Sequence, residues 1–220
     1  MTKRSGLAFA VKLILILSLC VLVYSAVQIF KAPAEARHAL EDWQKKREEA
    51  PRLIVPEDET PLPAAMISLP EQPDKSSTAY TKGEVIGALY FPSLKKRVAI
   101  LEGTRRPQLK KGAGHYEGSA ALGATGNSVL AGHRDTVFRG LGNLQKNDLI
   151  EVETADGKFT YEVTGSSIVD GDERGAIKAS GTPELTLITC YPFSYVGPAP
   201  ERYLLSASLI RREPLPQDQE

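Results

Sequence analysis

Hydrophobic residues follow two different patterns along this chain. Residues 13–30 form one uncharged run, from Leu13 to Phe30. From about Tyr80 onward, the apolar residues come in short runs bounded by glycine, proline and polar residues, which is typical of β-strands. The runs that predict strands are Gly83–Phe91, Arg97–Glu102, Asn127–Ala131, Leu149–Thr154, Lys158–Ser166, Leu185–Thr189 and Tyr203–Ile210.

The strand runs predict the fold class of residues 80–212. Asp156-Gly157 separates two of them and is a strong hairpin signal. Short helices are predicted near Gln108–Lys111 and Val137–Leu144, but no long helix alternates with the strands, which argues against a doubly wound α/β sheet. We therefore expect a mainly all-β domain, a closed or nearly closed β-barrel with short helices.

The uncharged run has the length of a membrane span. At about 1.5 Å per residue, 18 helical residues just cross a hydrocarbon core of roughly 30 Å. Lys3, Arg4 and Lys12 precede the run without any acidic residue, so its N-terminus is predicted to be cytoplasmic. We expect residues 1–30 to be an uncleaved transmembrane signal anchor. A cleaved signal peptide, cut near residues 24–26, is the alternative, but the apolar run continues past that point.

The segment between the run and the barrel has two parts. Residues 34–50 are rich in Ala, Glu, Lys and Arg and predict a short juxtamembrane helix. Residues 51–79 contain six prolines and predict a semi-extended spacer that holds the barrel away from the bilayer. The expected organisation is thus anchor at 1–30, helix and linker at 31–79, barrel at 80–212 and a polar tail at 213–220.

Charge and cysteine content narrow the functional classes. The formal net charge is +0, which argues against a strongly basic nucleic-acid-binding protein. Cys20 lies within the uncharged run, where we expect it to be inert. Cys190 is alone in a domain that the anchor would export, so its thiol is paired with another chain, buried, or used chemically.

Three reactive side chains stand at the ends of predicted strands. Cys190 ends one apolar run, His133 follows another, and Arg202 precedes a third. A thiolate is a nucleophile, histidine can act as acid and then as base near neutral pH, and the guanidinium fork suits an oxyanion. The pattern indicates a cysteine-dependent acyl-transfer site. Because cysteine is among the most buried residue types, a packing role for Cys190 is the plain alternative.

These residues stand in segments that resemble one family. Thr186–Cys190 resembles the cysteine signature of the sortases, the membrane-anchored cysteine transpeptidases of bacterial surfaces. Ala131–Thr136 resembles their histidine segment, Glu201–Leu205 their arginine strand, and Gly114–Tyr116 a segment ahead of the histidine. Within the family, the Cys-Tyr-Pro-Phe sequence of residues 190–193 and the N-terminal anchor look most like class D.

The resemblance implies an eight-stranded sortase barrel and a mechanism. Cys190 would attack the Thr carbonyl of a Leu-Pro-x-Thr-Gly/Ala sorting signal, a peptidase half-reaction of the hydrolase class that leaves a thioacyl enzyme. His133 would protonate the leaving amine and then deprotonate the incoming one, and Arg202 would position the signal and offset the oxyanion. Thr189 is a substrate-contact candidate; a core hydroxyl bonded to the backbone is the equal alternative.

The resemblance also implies partners and a location. We expect the substrates to be secreted proteins with a C-terminal sorting signal, and the acceptor to be an amine of a peptidoglycan precursor. The chain would be a single-pass protein of the bacterial cell membrane with an extracellular catalytic domain. No cofactor, metal or nucleic acid is implied.

Three further features carry weaker signals. Asp135 could orient His133, although an exposed loop acid is the simpler interpretation. His115 resembles a family segment but not a catalytic residue, and we expect a structural role. The acidic residues within 170–173 are too few to predict calcium, which takes six or more oxygen ligands.

Two other functions compete with this interpretation. An L,D-transpeptidase would also have His before Cys, but it expects Ser-His-Gly before the cysteine, whereas Leu187-Ile188-Thr189 stands here. A non-catalytic anchored β-domain that binds a partner would bury Cys190 and leave its thiol unreactive.

Overall fold

The computed structural model describes residues 3–49, 80–194 and 197–214. The linker at 51–79 and residues 215–220 of the predicted tail lie outside them. The helical elements are α1 (Lys3–Glu49), α2 (Arg106–Lys111) and a 3₁₀ turn at Leu141–Asn143. The strands are β1 (Val85–Phe91), β2 (Lys96–Glu102), β3 (Ala113–His115), β4 (Gly126–Ala131), β5 (Leu149–Thr154), β6 (Gly157–Asp170), β7 (Pro183–Tyr191) and β8 (Glu201–Glu213).

The strands form a closed eight-stranded barrel, as the sequence predicted. Their order around the barrel is β1-β2-β3-β4-β7-β8-β6-β5, and β5 pairs back onto β1. The β2–β3 and β4–β7 pairs are parallel and the others antiparallel. Because β4 and β7 run parallel, the residues that follow both strands emerge at the same end of the barrel.

Alternation of side chains explains why these runs become barrel strands. Along β7, Leu185 and Leu187 are fully buried, and along β8, Leu205 and Ala207 are their interior counterparts. Every second residue of a strand faces the same side, so the residues between them face outward. Other strands contribute the remaining large core side chains, among them Leu89, Phe91, Ile100, Leu130, Ile150 and Tyr161.

Several elements differ from the predicted ones. The three-residue strand β3 was not predicted, and β6 extends beyond Ser166 to Asp170 because it pairs with β8 along its whole length. The helix expected at Val137–Leu144 is only a 3₁₀ turn, preceded by Gly140 in the left-handed conformation with φ 88°. The predicted hairpin at Asp156-Gly157 is confirmed by the pairing of β5 with β6.

Helix α1 is continuous and packs against the barrel. Ala39 and Trp43, four residues apart on one helix face, are buried, and Ala39 packs against Leu101 of β2. Lys46 pairs with Glu84 just before β1. The helix therefore contacts the barrel directly. The spacer predicted for residues 51–79 lies outside the described residues and stays a prediction.

Among the described residues, none of the helices combines the length and the apolar character that crossing a membrane requires. The transmembrane anchor at residues 1–30 stays a prediction.

Candidate active site

Cys190 and Arg202 are direct partners in the β7–β8 ladder. Side chains of directly opposed residues in an antiparallel pair share one face, with Cβ atoms about 4.5–5.5 Å apart. The preceding pair, Thr189 and Tyr203, is buried on the interior side. Cys190 and Arg202 therefore lie side by side on the outer face of the barrel wall, where both are half-buried.

His133 reaches the same end of the barrel through the parallel pairing of β4 with β7. Ala131 is the partner of Ile188, and the Gly132 N–H donates to the Ile188 carbonyl at 3.1 Å. β4 ends at Ala131, so His133 follows the strand by two residues, at the end of the barrel where Cys190 lies in β7. The imidazole is exposed. The strand pairing thus leads the three predicted residues to one end of the barrel, and their joint role stays a prediction.

The Thr189 side chain is buried and hydrogen-bonded to the backbone. It is 3% exposed, and its hydroxyl donates to the Gly132 carbonyl at 2.7 Å. The side chain lies on the face opposite to Cys190, and its bond is the one that the core-hydroxyl alternative predicts, whereas the substrate contact stays a prediction. That bond ties β7 to the end of β4, one residue before His133.

The loop after β4 folds back tightly onto the barrel. A Cβ on Gly132 would lie 2.6 Å from the Phe138 ring, so only glycine allows this approach. The Phe138 N–H donates to the His133 carbonyl at 2.9 Å, which closes the turn. Lys96 of β2 donates to the Thr136 carbonyl at 2.7 Å, and burial lowers the pKa of its ammonium group.

The Arg202 guanidinium is held by the backbone that leads into β8. Its Nη1 donates to the carbonyls of Ala199 at 3.1 Å and Glu201 at 2.9 Å. A Cβ on Gly171 would lie 3.2 Å from the same nitrogen, so the β6–β7 connection also closes over this group. These contacts hold the permanent positive charge of the residue that pairs with Cys190 across the ladder.

Asp135 is an exposed loop acid and His115 is a buried, hydrogen-bonded histidine. Asp135 is exposed, and its Oδ1 lies 3.5 Å from Arg134 Nε, as expected of a loop acid. His115 is buried, with Nδ1 2.8 Å from Glu102 Oε2 and Nε2 3.0 Å from the Ala120 carbonyl. Both ring nitrogens therefore bond to protein oxygens, and this histidine is a structural residue.

The acidic loop before β7 shows no metal site. The Asp170 carboxylate accepts the Asp172 N–H at 2.9 Å, which is a local turn. Across the described ranges, no group of three or more His, Cys, Asp or Glu side chains is arranged to hold a metal ion.

Two features of the site were missed by sequence reasoning. Arg134 is only 8% exposed, and it donates to the carbonyls of Pro192 and Gly197. An aromatic cluster follows Cys190, in which the Phe193 ring lies 5.7 Å from that of Tyr191 and 5.1 Å from that of Tyr203. The sequence shows Arg134 next to His133 and Phe193 after Cys190. It does not show that Arg134 bonds to the Pro192 and Gly197 carbonyls or that Phe193 packs against Tyr203.

Cys190 and Arg202 thus pair on the outer face of a closed β-barrel, at the end where the His133 segment follows β4. A thiol, an imidazole and a guanidinium are groups that acyl transfer through a covalent intermediate needs, and these are the roles that the sequence predicts for them. Fold and site together define the class as a β-barrel protein equipped for acyl transfer.

Comparison with known proteins identifies the family. The family model described as the sortase domain matches residues 89–210, more than half of the chain. The chain therefore belongs to the sortase family of transpeptidases. This match also sets aside the L,D-transpeptidase alternative.

Individual relatives agree with this assignment. Sortase D of Bacillus subtilis (strain 168) is 44% identical over 133 residues, which is 60% of this chain and 67% of that protein. The structure of the catalytic domain of B. anthracis SrtD matches with a TM-score of 0.53 and 39% identity, over 63% of this chain and 96% of that chain. A Clostridium perfringens sortase D5 transpeptidase matches with a TM-score of 0.53 and 26% identity, over 60% and 82%. The predicted resemblance to sortases, most like class D, is confirmed.

Proposed function

We propose that this protein is a cysteine transpeptidase that cleaves a Leu-Pro-x-Thr-Gly/Ala sorting signal after Thr and transfers the new carboxyl end to an amine. The observation that carries the proposal is the pairing of Cys190 with Arg202, together with the parallel β4–β7 pairing that ends two residues before His133. The presence of all three groups at one end of the barrel supports chemistry that uses them together.

In the first half-reaction, the Cys190 thiolate forms a bond to the Thr carbonyl carbon. The tetrahedral oxyanion accepts hydrogen bonds from Arg202, which keeps its charge throughout. As the C–N bond breaks, protonated His133 gives its proton to the leaving amine. A thioester on Cys190 and neutral His133 remain.

In the second half-reaction, neutral His133 takes a proton from the incoming amine as its nitrogen attacks the thioester carbonyl. The C–S bond breaks, an amide forms, and the Cys190 thiolate is restored beside protonated His133. Water in place of the amine gives hydrolysis. The acceptor that we propose is an amine of a peptidoglycan precursor, and the donor a secreted protein that ends in the sorting signal.

We place the protein in the bacterial cell membrane, with the catalytic domain outside. The support is the uncharged run Leu13–Phe30, preceded by three basic residues. Protease added to intact cells should remove a C-terminal tag from the chain, while the membrane fraction retains an N-terminal tag. A tag that survives on intact cells but not on lysed ones would contradict this placement.

The assay is cleavage and transfer on a panel of Leu-Pro-x-Thr peptides by the full chain in detergent. Cys190→Ala should abolish both steps, and His133→Ala should lower the rate about 10²–10⁴-fold. Arg202→Lys should lower it about 10²–10³-fold, since an ammonium group lacks the fork. Arg212→Lys, at the far end of the same strand, is the matched control and should stay near wild type. Full activity of Arg202→Lys would contradict the oxyanion role.

A further inference from the structure

His133 is not held in place by the barrel's ladder of hydrogen bonds. Cys190 and Arg202 are paired strand residues, so the sheet fixes one against the other. The last paired residue of β4 is Ala131, and His133 lies two positions beyond it. General acid–base transfer needs heavy atoms within about 2.6–3.2 Å, so contacts outside the ladder must set the position of the imidazole.

The residue after His133 supplies such a contact. Arg134 is 8% exposed, although arginine is rarely buried without partners. Its Nη1 donates to the Pro192 carbonyl at 3.0 Å, and its Nη2 donates to the Gly197 carbonyl at 3.0 Å. Pro192 is two residues past Cys190, so one planar guanidinium connects the histidine segment to the backbone that follows the cysteine.

The backbone that receives this guanidinium is itself firmly packed. Pro192 lies between Tyr191 and Phe193, whose rings pack edge to face at 5.7 Å. Phe193 also packs against Gly142 of the 3₁₀ turn, where a Cβ would come within 2.6 Å of the ring. Arg134 therefore bonds to a carbonyl whose flanking residues are packed in place. These bonds restrain the backbone of the neighbouring residue, His133.

The bond to Asp135 does not explain the burial of Arg134. The Asp135 side chain is 74% exposed and lies 3.5 Å from Nε, and exposed ion pairs contribute little. The two carbonyl bonds use the two Nη groups of the rigid fork. Lysine keeps the charge but has one nitrogen on a flexible stem, so it cannot reproduce both bonds at once.

We propose that Arg134 is a positioning residue, whose guanidinium fastens the His133 segment to the Pro192 and Gly197 carbonyls and so holds the imidazole where it can give its proton to the amine that leaves during acylation of Cys190. This rests on the transpeptidase function proposed above. Arg134 acts through His133. A shift of about 1 Å in the imidazole is enough for a 10²-fold effect on rate.

The test compares single-turnover acylation of the full chain by an amide peptide and by its thioester analogue, followed by intact mass. A thiolate can leave without taking up a proton, whereas an amine must be protonated as it leaves. Arg134→Lys and Arg134→Gln should lose about 10²-fold on the amide, with little change in KM, and stay within a few fold of wild type on the thioester. The Arg212→Lys control, which alters another arginine bonded to a backbone carbonyl, should affect neither.

A second comparison separates positioning from loss of folding. If Arg134 acts through His133, then adding Arg134→Lys to His133→Ala should cost less than about twofold more on the amide, because coupled residues are not additive. Equal losses on amide and thioester, or a full additional loss in the double variant, would overturn the proposal. Wild-type rates for Arg134→Lys would overturn it as well. A wild-type chain inert toward both peptides would instead refute the transpeptidase function, and this proposal with it.

Discussion

At the scale of single residues, the site combines two kinds of constraint. Cys190 and Arg202 gain their relative position from paired strands, so their geometry is as rigid as the sheet. His133 depends on three local features: the missing side chain at Gly132, the turn closed by Phe138, and the guanidinium of Arg134. The histidine is therefore the member of the site most sensitive to changes in its neighbours.

Thr189 provides a residue-scale prediction. Thr189→Val removes the hydroxyl that bonds to Gly132 while keeping the shape, so we expect a loss of about 0.5–1.5 kcal/mol in the free energy of unfolding. Preference among sorting peptides should not change, because the side chain faces away from Cys190. Denaturant unfolding and a peptide panel measure the two quantities. Unchanged stability with an altered peptide preference would support the substrate-contact role.

At the scale of elements, the pairing of β2 with β3 depends on one buried contact. Glu102 and His115 are ladder partners, and their side chains meet 2.8 Å apart with both groups buried. Removing one partner of a buried hydrogen bond leaves the other group unsatisfied, which typically costs about 1–3 kcal/mol.

We therefore expect Glu102→Leu to destabilise the fold by about 1–3 kcal/mol in denaturant unfolding. Replacing both partners with apolar residues, in Glu102→Leu/His115→Phe, should recover most of that loss. A single variant as stable as wild type would show that the β2–β3 pair does not depend on this contact.

The docking of α1 provides a prediction on pH. A hydrogen bond from Lys46 lowers the pKa of Glu84 from its ordinary 4.5, although the carboxylate is largely solvated. Since the folded pKa is the lower one, the contribution to docking is fully present above pH 4.5 and is lost as the pH falls through the folded pKa. Helix α1 should therefore detach from the barrel more readily over the same acid pH range.

Trp43 reports this directly, because it is the single tryptophan of the chain and is 4% exposed. Its emission should be blue-shifted at pH 7 and move to the red below the ordinary Glu84 pKa. Glu84→Gln should weaken docking at pH 7 and reduce the acid transition. An identical transition in wild type and Glu84→Gln would assign the effect to other carboxylates.

At the scale of the whole molecule, the helix and the site occupy different walls. Helix α1 packs on β1 and β2, whereas the reactive residues belong to β7, β8 and the end of β4. In the closed order of eight strands, β1 and β7 are separated by three strands on either side. The docked helix therefore lies on a different wall from Cys190 and Arg202.

The sequence predicted the barrel because its strand runs alternate or are continuously apolar, and it predicted Cys190, His133 and Arg202 because each stands at a strand end. It could not predict β3, because Ala113–His115 is too short to show a period. Nor could it predict the role of Arg134, whose carbonyl partners lie 58 and 63 residues away along the chain. The docking of Trp43 was missed for the same reason, since its partner surface is the outside of the barrel.

The most direct test of the central claim is the intact mass of the full chain after mixing with a Leu-Pro-x-Thr-Gly/Ala peptide, with and without an added amine. We expect a thioacyl adduct that maps to Cys190, is absent from Cys190→Ala, and decays to an amide product when the amine is present. No adduct with any peptide of the panel, together with a Cys190 thiol that resists alkylation in the folded protein, would contradict the account and favour a non-catalytic β-domain.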